Sequence, residues 1–226
     1  MNKTEILRKY FIFFIGLVIN AVGVVFLTKA ALGNSPSACV PFALSETFSL
    51  TYGQFTIIMN LILIGAQILI GRKNYPLIQL LQIPVSVAFG FMIDFFMDTV
   101  FFWMSPQTYL MRLVFTLLGC VILALSVFLE FSADVLMLPG EGLAFALHCK
   151  TGLEKGHLKI AVDVGLVAAA CVIGLIFSHE IIGIREGTLL AAVLVGAISK
   201  QYNIHFGRKL IAWCRVSSAT PAPANS

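Results

Sequence analysis

The stretch Gly33–Leu44 reads GNSPSACVPFAL, and a related stretch at residues 136–147 reads LMLPGEGLAFAL. When the sequence is aligned with itself at an offset of 103, residues 36–60 lie over residues 139–163 without a gap. Seven of these 25 positions are identical. Average residue usage gives about two identities by chance. The alignment therefore indicates a duplicated unit, in which Pro36 corresponds to Pro139 and Asn60 corresponds to Asp163.

Each copy of the unit begins with a proline, a residue that favours the first position of a helix. The helices that follow are predicted at residues 36–48 and 139–150. A hydrocarbon core of ~30 Å cannot be crossed by so few residues, since a helix rises only about 1.5 Å per residue. We therefore predict two re-entrant or half helices that enter the membrane and return.

The composition is that of a membrane protein. Apolar residues make up 59% of the chain and charged residues only 12%, about half the usual share in soluble proteins. The mean hydropathy is +0.95, and a soluble domain of this length could not bury so much apolar surface. The formal charge of +4 then gives no reason to expect a nucleic-acid partner.

We predict an all-α polytopic membrane protein with six transmembrane helices, arranged as two inverted three-helix repeats that each contain a short helix. Three spans per unit is an odd number, so the second unit must be inverted relative to the first. The spans are predicted at residues 10–27, 53–70, 75–96, 109–129, 158–177 and about 181–199. A single membrane domain, 1–216, would comprise repeat one at about 10–103, repeat two at about 109–204, an interfacial basic helix at 204–216, and then a disordered tail at 217–226.

Two of the predicted spans carry a face of small or polar residues. In the first span these are Gly16, Asn20 and Gly23, whose spacing favours close approach to a neighbouring helix. In the third span, which we expect to be bent or weakened at Pro84, they form the stripe Gln79, Gln82, Ser86, Gly90 and Asp94. Because lipid does not tolerate such a stripe, we expect it to face protein or water.

The distribution of positive charge predicts the orientation. On the six-span topology, twelve of the fifteen Lys and Arg residues lie on one side, in segments 3–9, 72–73, 150–159 and 200–215. Cytoplasmic loops carry the excess of Lys and Arg. Both termini are therefore predicted to be cytoplasmic.

Inverted repeats that are interrupted by Pro-led short helices indicate a transport site near the middle of the membrane. We expect a secondary transporter or permease for a small molecule or ion, with proton coupling as an open question. The candidate binding residues are Asn34, Ser37, Asn60, Gln67, Gln79, Gln82, Glu141, Asp163 and Arg185. An ionisable residue within a span, such as Asp163, favours a functional role. The alternatives are an interhelical hydrogen bond for Asp163, helix capping for Glu141, and a surface pair with Glu186 for Arg185.

Two ion pairs are predicted to close the two faces of a central cavity. Lys29 and Asp94 fall near the outer ends of their spans, and Glu130 and Lys200 fall near the inner ends. For the two lysines the alternative is that the side chains reach the lipid headgroups.

The sequence contains no nucleophile elbow, Walker loop, H-E-x-x-H or Rossmann fingerprint. The five cysteines form no C-x-x-C pair. We therefore predict no enzymatic activity, cofactor or metal site. The alternative to a transporter is an accessory or regulatory membrane protein of a partner complex. The expected partners are the lipid bilayer, the solute and a second copy in a homodimer.

Short motifs along the chain resemble a known group. They are ALGNSP, LS and GQFT in the first half, LPGEG in the second half and IREGT before the last span. Together they resemble the YczE/YyaS/YitT group of bacterial integral membrane proteins, from about Tyr10 to Asn203. The resemblance implies a multi-pass protein of the bacterial cytoplasmic (inner) membrane. It implies no particular substrate and no catalytic residue.

Overall fold

The computed structural model describes residues 3–72 and 75–214. Their regular elements are helices, and the described residues contain no strand. The eight α-helices are α1 (Lys3–Ala30), α2 (Pro36–Thr47), α3 (Tyr52–Gly71), α4 (Gln82–Phe95), α5 (Tyr109–Ala133), α6 (Pro139–Thr151), α7 (Lys155–Phe177) and α8 (Glu186–Cys214). With α4 counted as part of the continuous helical segment Leu77–Val100, a long helix followed by a short one and two further long ones thus occurs twice along the chain.

Among residues 3–72 and 75–214, five segments are long and apolar enough to cross a membrane, namely α1, α3, Leu77–Val100, α5 and α7, and α8 is not one of them. The chain is therefore a polytopic helical membrane protein, as its composition predicts. The short helices α2 and α6 have 12 and 13 residues and begin at Pro36 and Pro139. Both lie where the sequence predicts them.

The helices α1 and α5 form a closely packed antiparallel pair. A β-carbon added to Gly23 would lie 2.7 Å from Leu123 Cγ, and one added to Gly119 would lie 3.0 Å from Leu27 Cδ2. Gly16 packs in the same way against Glu130, 3.0 Å from its Cγ. The small-residue face that the sequence places on the first span is therefore the face that contacts α5.

Pro84 does not interrupt α4. Pro84 lies in the first turn of α4, where a missing backbone N–H costs no intrahelical hydrogen bond. The helix geometry changes elsewhere: a 3₁₀ turn at Leu77–Leu81 precedes α4 and a π-helical turn at Phe96–Val100 follows it.

The helix α8 continues without a break from Glu186 to Cys214. Within the described residues, the predicted interfacial helix 204–216 is therefore the end of α8 and not a separate element. Its last two residues and the predicted tail 217–226 lie outside the described residues. Arg8 Nη1 donates a hydrogen bond to the carbonyl oxygen of Trp213 at 3.0 Å. The start of α1 and the end of α8 thus lie at the same end of the molecule.

Candidate functional site

A cavity of about 430 Å³ lies between the helices. Every one of the eight helices contributes residues to its wall. The starts of both short helices are part of that wall, with residues 35–38 from α2 and residues 138–141 from α6. The two Pro-led helices that the sequence singles out therefore point their N-termini at one common space.

The charged side chains of the wall come from α6 and α7. Lys159 and Asp163 lie one turn apart on α7, and Lys159 Nζ is 2.5 Å from Asp163 Oδ1. Glu141 lies in the first turn of α6 and forms no ion pair or side-chain hydrogen bond with any residue that the structure describes. Its carboxylate is therefore available to a bound solute.

Most of the remaining wall is apolar. The apolar side chains of the wall include Val24, Leu63, Phe89, Leu123, Phe131 and Ile160. Small-molecule sites commonly combine such walls with a few polar groups that orient the ligand. The polar groups here include Asn60 and two buried hydroxyls, Tyr52 Oη and Ser86 Oγ, which have no hydrogen-bond partner among the described residues.

Asn34 holds the start of α2 in place and does not line the cavity. Its backbone N–H donates to the Gly183 carbonyl oxygen at 2.9 Å. Its side-chain Oδ1 accepts a hydrogen bond from Thr28 Oγ1 at 2.8 Å, and the residue is only 1% exposed. Asn34 therefore fixes α2 against the segment that precedes α8.

The three glutamines predicted to bind solute form a chain of amides beside the cavity. Gln82 Nε2 donates to Gln79 Oε1 at 2.6 Å, and Gln67 Nε2 donates to Gln82 Oε1 at 3.2 Å. Gln67 Nε2 also donates to the Pro139 carbonyl oxygen at 2.9 Å. None of the three lines the cavity. Their contacts hold the start of α6, much as Asn34 holds the start of α2.

Arg185 lies outside the cavity. Its side chain is 55% exposed, with Nε 3.9 Å from Glu186 Oε2, and Nη1 donates to the Ala31 carbonyl oxygen at 3.4 Å. The surface pair that the sequence left open as an alternative is the arrangement observed. Of the nine candidate binding residues, the cavity brings together Ser37, Asn60, Glu141 and Asp163.

Neither predicted ion pair is formed. Asp94 accepts hydrogen bonds from Thr51 Oγ1 at 2.6 Å and from the Gly53 backbone N–H at 2.7 Å, so its carboxylate lies at the positive end of α3. Glu130, which is 7% exposed, accepts a hydrogen bond from Asn20 Nδ2 at 3.0 Å. Lys29 and Lys200 take part in no ion pair within the described part of the chain.

The charge exchange Lys29→Asp with Asp94→Lys is therefore expected to restore nothing. Asp94→Lys removes both acceptors at the start of α3 and places a positive charge at a helix N-terminus. This should lower the free energy of unfolding by roughly 1–3 kcal/mol. Thermal melts of the two single variants and the double variant in detergent measure the effect. A double variant that melts higher than Asp94→Lys alone would restore the ion-pair hypothesis.

Sequence reasoning missed several residues of the wall. In the sequence Lys159 contributes only to the excess of positive charge in segment 150–159, although its i,i+4 spacing to Asp163 on a helix is a recognisable pairing signal. The small residues of α8, Ala191, Ala192 and Gly196, also line the cavity. They carry no chemical signature in the sequence, so only the packing of α8 could reveal them.

Comparison with known proteins identifies the family of the chain. A family model described as "Family of unknown function (DUF6198)" matches residues 7–204. The chain is 30% identical over 198 residues to "Uncharacterized membrane protein YczE" of Bacillus subtilis (strain 168). The matched region covers 87% of this chain and 86% of that protein. No solved structure matches the chain. The resemblance to YczE-type membrane proteins is therefore confirmed, and the chain belongs to the DUF6198 family.

Proposed function

We propose that this protein is a secondary transporter that binds a small solute in the central cavity. The observation that carries the proposal is the convergence of the α2 and α6 N-termini on one space that all eight helices line. Interrupted helices whose ends meet at a midplane site are typical of transporters built from inverted repeats. A helix N-terminus offers partial positive charge and free N–H groups to a polar solute.

The composition of the wall supports an inverted repeat. Many wall residues of the first unit have an equivalent wall residue in the second unit. The offset between equivalent positions is 103 for the first three helices of each unit and 106 for the last helix. The pairs are Asn20/Leu123, Val24/Val127, Ser35/Leu138, Pro36/Pro139, Ser37/Gly140, Ala38/Glu141, Thr56/Lys159, Asn60/Asp163, Val85/Ala191, Ser86/Ala192 and Phe89/Val195. A pseudo-twofold axis through the cavity would bring equivalent positions to its wall in this way. In addition, α2 packs against α7 as α6 packs against α3.

The contact between the chain ends supports six crossings. Arg8 of α1 and Trp213 of α8 lie together, with the guanidinium 5.1 Å from the ring centroid, and this contact supports an even number of crossings. With five apolar spans, we propose α8 as the sixth crossing. Since α8 packs against α5 and lines the cavity, it can be less apolar than a helix surrounded by lipid. From the excess of Lys and Arg on one side, we propose that both termini are cytoplasmic and that the chain lies in the inner membrane of a bacterial cell.

Transport requires that the site open to each side in turn. The solute competes with Lys159 for Asp163 when it enters, and it supplies the partner that Glu141 lacks. Either carboxylate is suited to carry a coupling proton, because an ionisable group inside a membrane domain is retained chiefly for function. The two supporting networks, around Asn34 and around Gln67, would keep the short helices rigid while the surrounding helices move.

The test begins with purified full-length protein and a thermal-shift panel of amino acids, amines, carboxylates, sugars and nucleosides, because a ligand that binds only the folded state raises the melting temperature. The compound with the largest shift is then labelled and assayed for counterflow in proteoliposomes. We expect Glu141→Gln and Asp163→Asn to abolish counterflow while both variants still fold. Glu46→Gln, an exposed acid of α2 that does not line the cavity, is the matched control and should transport normally.

The alternative of an accessory protein makes the opposite expectation. Glu141→Gln and Asp163→Asn would then leave the function of the protein in the cell unchanged, whereas substitutions on the lipid-facing surface would impair it. Binding of a panel compound without counterflow would also contradict transport.

A further inference from the structure

We propose that the solute is a zwitterion with an apolar body, of the class of the apolar α-amino acids. This inference rests on the proposed function, since it names the substrate class of the same cavity. Its carboxylate would lie at the start of α2 and its ammonium group beside Glu141 and Asp163. The argument depends on the separation of charge along the wall.

The start of α2 is the positive end of the cavity. No acidic residue lies in the first turn of α2, and Ser35 makes no side-chain capping hydrogen bond. The partial positive charge of the helix therefore has no side-chain counterpart there. Tyr52 packs edge-on against Phe42 of α2, with ring centroids 5.6 Å apart. Tyr52 also shares a buried cluster and the cavity wall with Ala38 of the first turn of α2, and its buried hydroxyl has no hydrogen-bond partner among the described residues, so a donor is available on this side of the wall.

The α6 and α7 side is the negative end. It carries the carboxylates of Glu141 and Asp163 against the single ammonium group of Lys159. Lys159 pairs with Asp163, while Glu141 lies in the field of Lys155 and Lys159 but forms no ion pair within the described part of the chain. A solute ammonium group beside Glu141 would supply that direct partner.

Solutes with one charge fit this wall less well. A simple anion would meet two carboxylates inside a space of low dielectric constant, where like charges repel strongly. A simple cation would leave the start of α2 without a counterpart. A zwitterion satisfies both ends, and its apolar body contacts Val24, Leu63, Phe89 and Leu123. The volume of about 430 Å³ suits one small molecule of this size.

Three probes of the same shape separate these possibilities. L-Leucine carries both charges, 4-methylpentanoate carries only the carboxylate, and 3-methylbutylamine carries only the ammonium group. We expect leucine to raise the melting temperature of the purified protein. Each single-charge analogue is expected to bind roughly tenfold more weakly or worse, as loss of one good polar interaction implies. Titration of the melting temperature against ligand concentration gives the comparison.

Variants locate the two charges. Glu141→Gln should weaken the binding of leucine roughly tenfold. The binding of 4-methylpentanoate should be unchanged or tighter, because only leucine has an ammonium group that contacts the Glu141 carboxylate. Asp163→Asn gives a second, independent test on another helix, and the melting temperature without ligand shows that each variant is folded. Glu46→Gln is the control and should bind all three probes as the parent protein does.

Two results would overturn the proposal: 3-methylbutylamine binding as tightly as leucine, or no shift with any of alanine, valine, leucine, methionine and phenylalanine. Transport is judged separately by counterflow. Leucine binding without counterflow would support the zwitterion site and contradict the transporter. Counterflow of another solute without binding of any apolar amino acid would support the transporter and refute the zwitterion.

Discussion

Replacing Gly140 with phenylalanine is expected to abolish transport while leaving the protein folded. Gly140 lies in the first turn of α6 and lines the cavity, and a β-carbon added there would meet no atom within 4 Å. The new ring therefore enters open space and displaces the solute, without forcing packed helices apart. Gly196 of α8 has the same two properties, so Gly196→Phe should block the cavity from a different helix.

The chain offers matched controls for this experiment. Gly65 of α3 and Gly165 of α7 also have open space around the added β-carbon, but neither lines the cavity. Gly65→Phe and Gly165→Phe should therefore transport normally. Counterflow of the compound selected in the thermal-shift panel measures all four variants, and melting temperatures confirm that each is folded. If the two cavity variants transport as fast as the two controls, the cavity is not the route.

The features of the fold that could be read from the sequence are those encoded locally. Hydropathy alone locates the five apolar spans, because a membrane helix must be apolar over most of its length. The short helices begin at Pro36 and Pro139. Because proline is favoured at the first position of a helix, these two residues predict where each short helix starts. The offset of 103 between the two copies is likewise a property of the sequence itself.

The partners of the polar residues could not be read in the same way. The sequence predicts that the stripe Gln79, Gln82, Ser86, Gly90 and Asp94 faces protein or water, and in the structure it faces α3 and the cavity. Periodicity gives the face of a helix but not the neighbour that covers it. Gln67 and Gln82 were therefore assigned to the solute, although the Pro139 carbonyl and each other satisfy their amides.

The failed ion pairs have the same origin. Asp94 and Lys29 both fall near span ends, and opposite charges at one membrane face suggest a pair. A helix N-terminus competes for a carboxylate as effectively as a lysine at short range, and the start of α3 lies within hydrogen-bond distance of Asp94. Only the three-dimensional crossing of α3 and α4 decides between the two.

That crossing is also where the largest loss of stability is expected. A β-carbon added to Gly53 would overlap the Gly90 carbonyl oxygen and lie 2.6 Å from Asp94 Cγ. Because the obstructing oxygen belongs to the backbone, α3 and α4 must separate, and the Gly53 N–H loses Asp94 as its acceptor. Gly53→Ala should therefore lower the free energy of unfolding by about 3 kcal/mol or more. Gly65→Ala, in open space on the same helix, should instead stabilise it by up to ~1 kcal/mol. Equal melting temperatures for the two variants in detergent would show that α3 and α4 do not cross at Gly53.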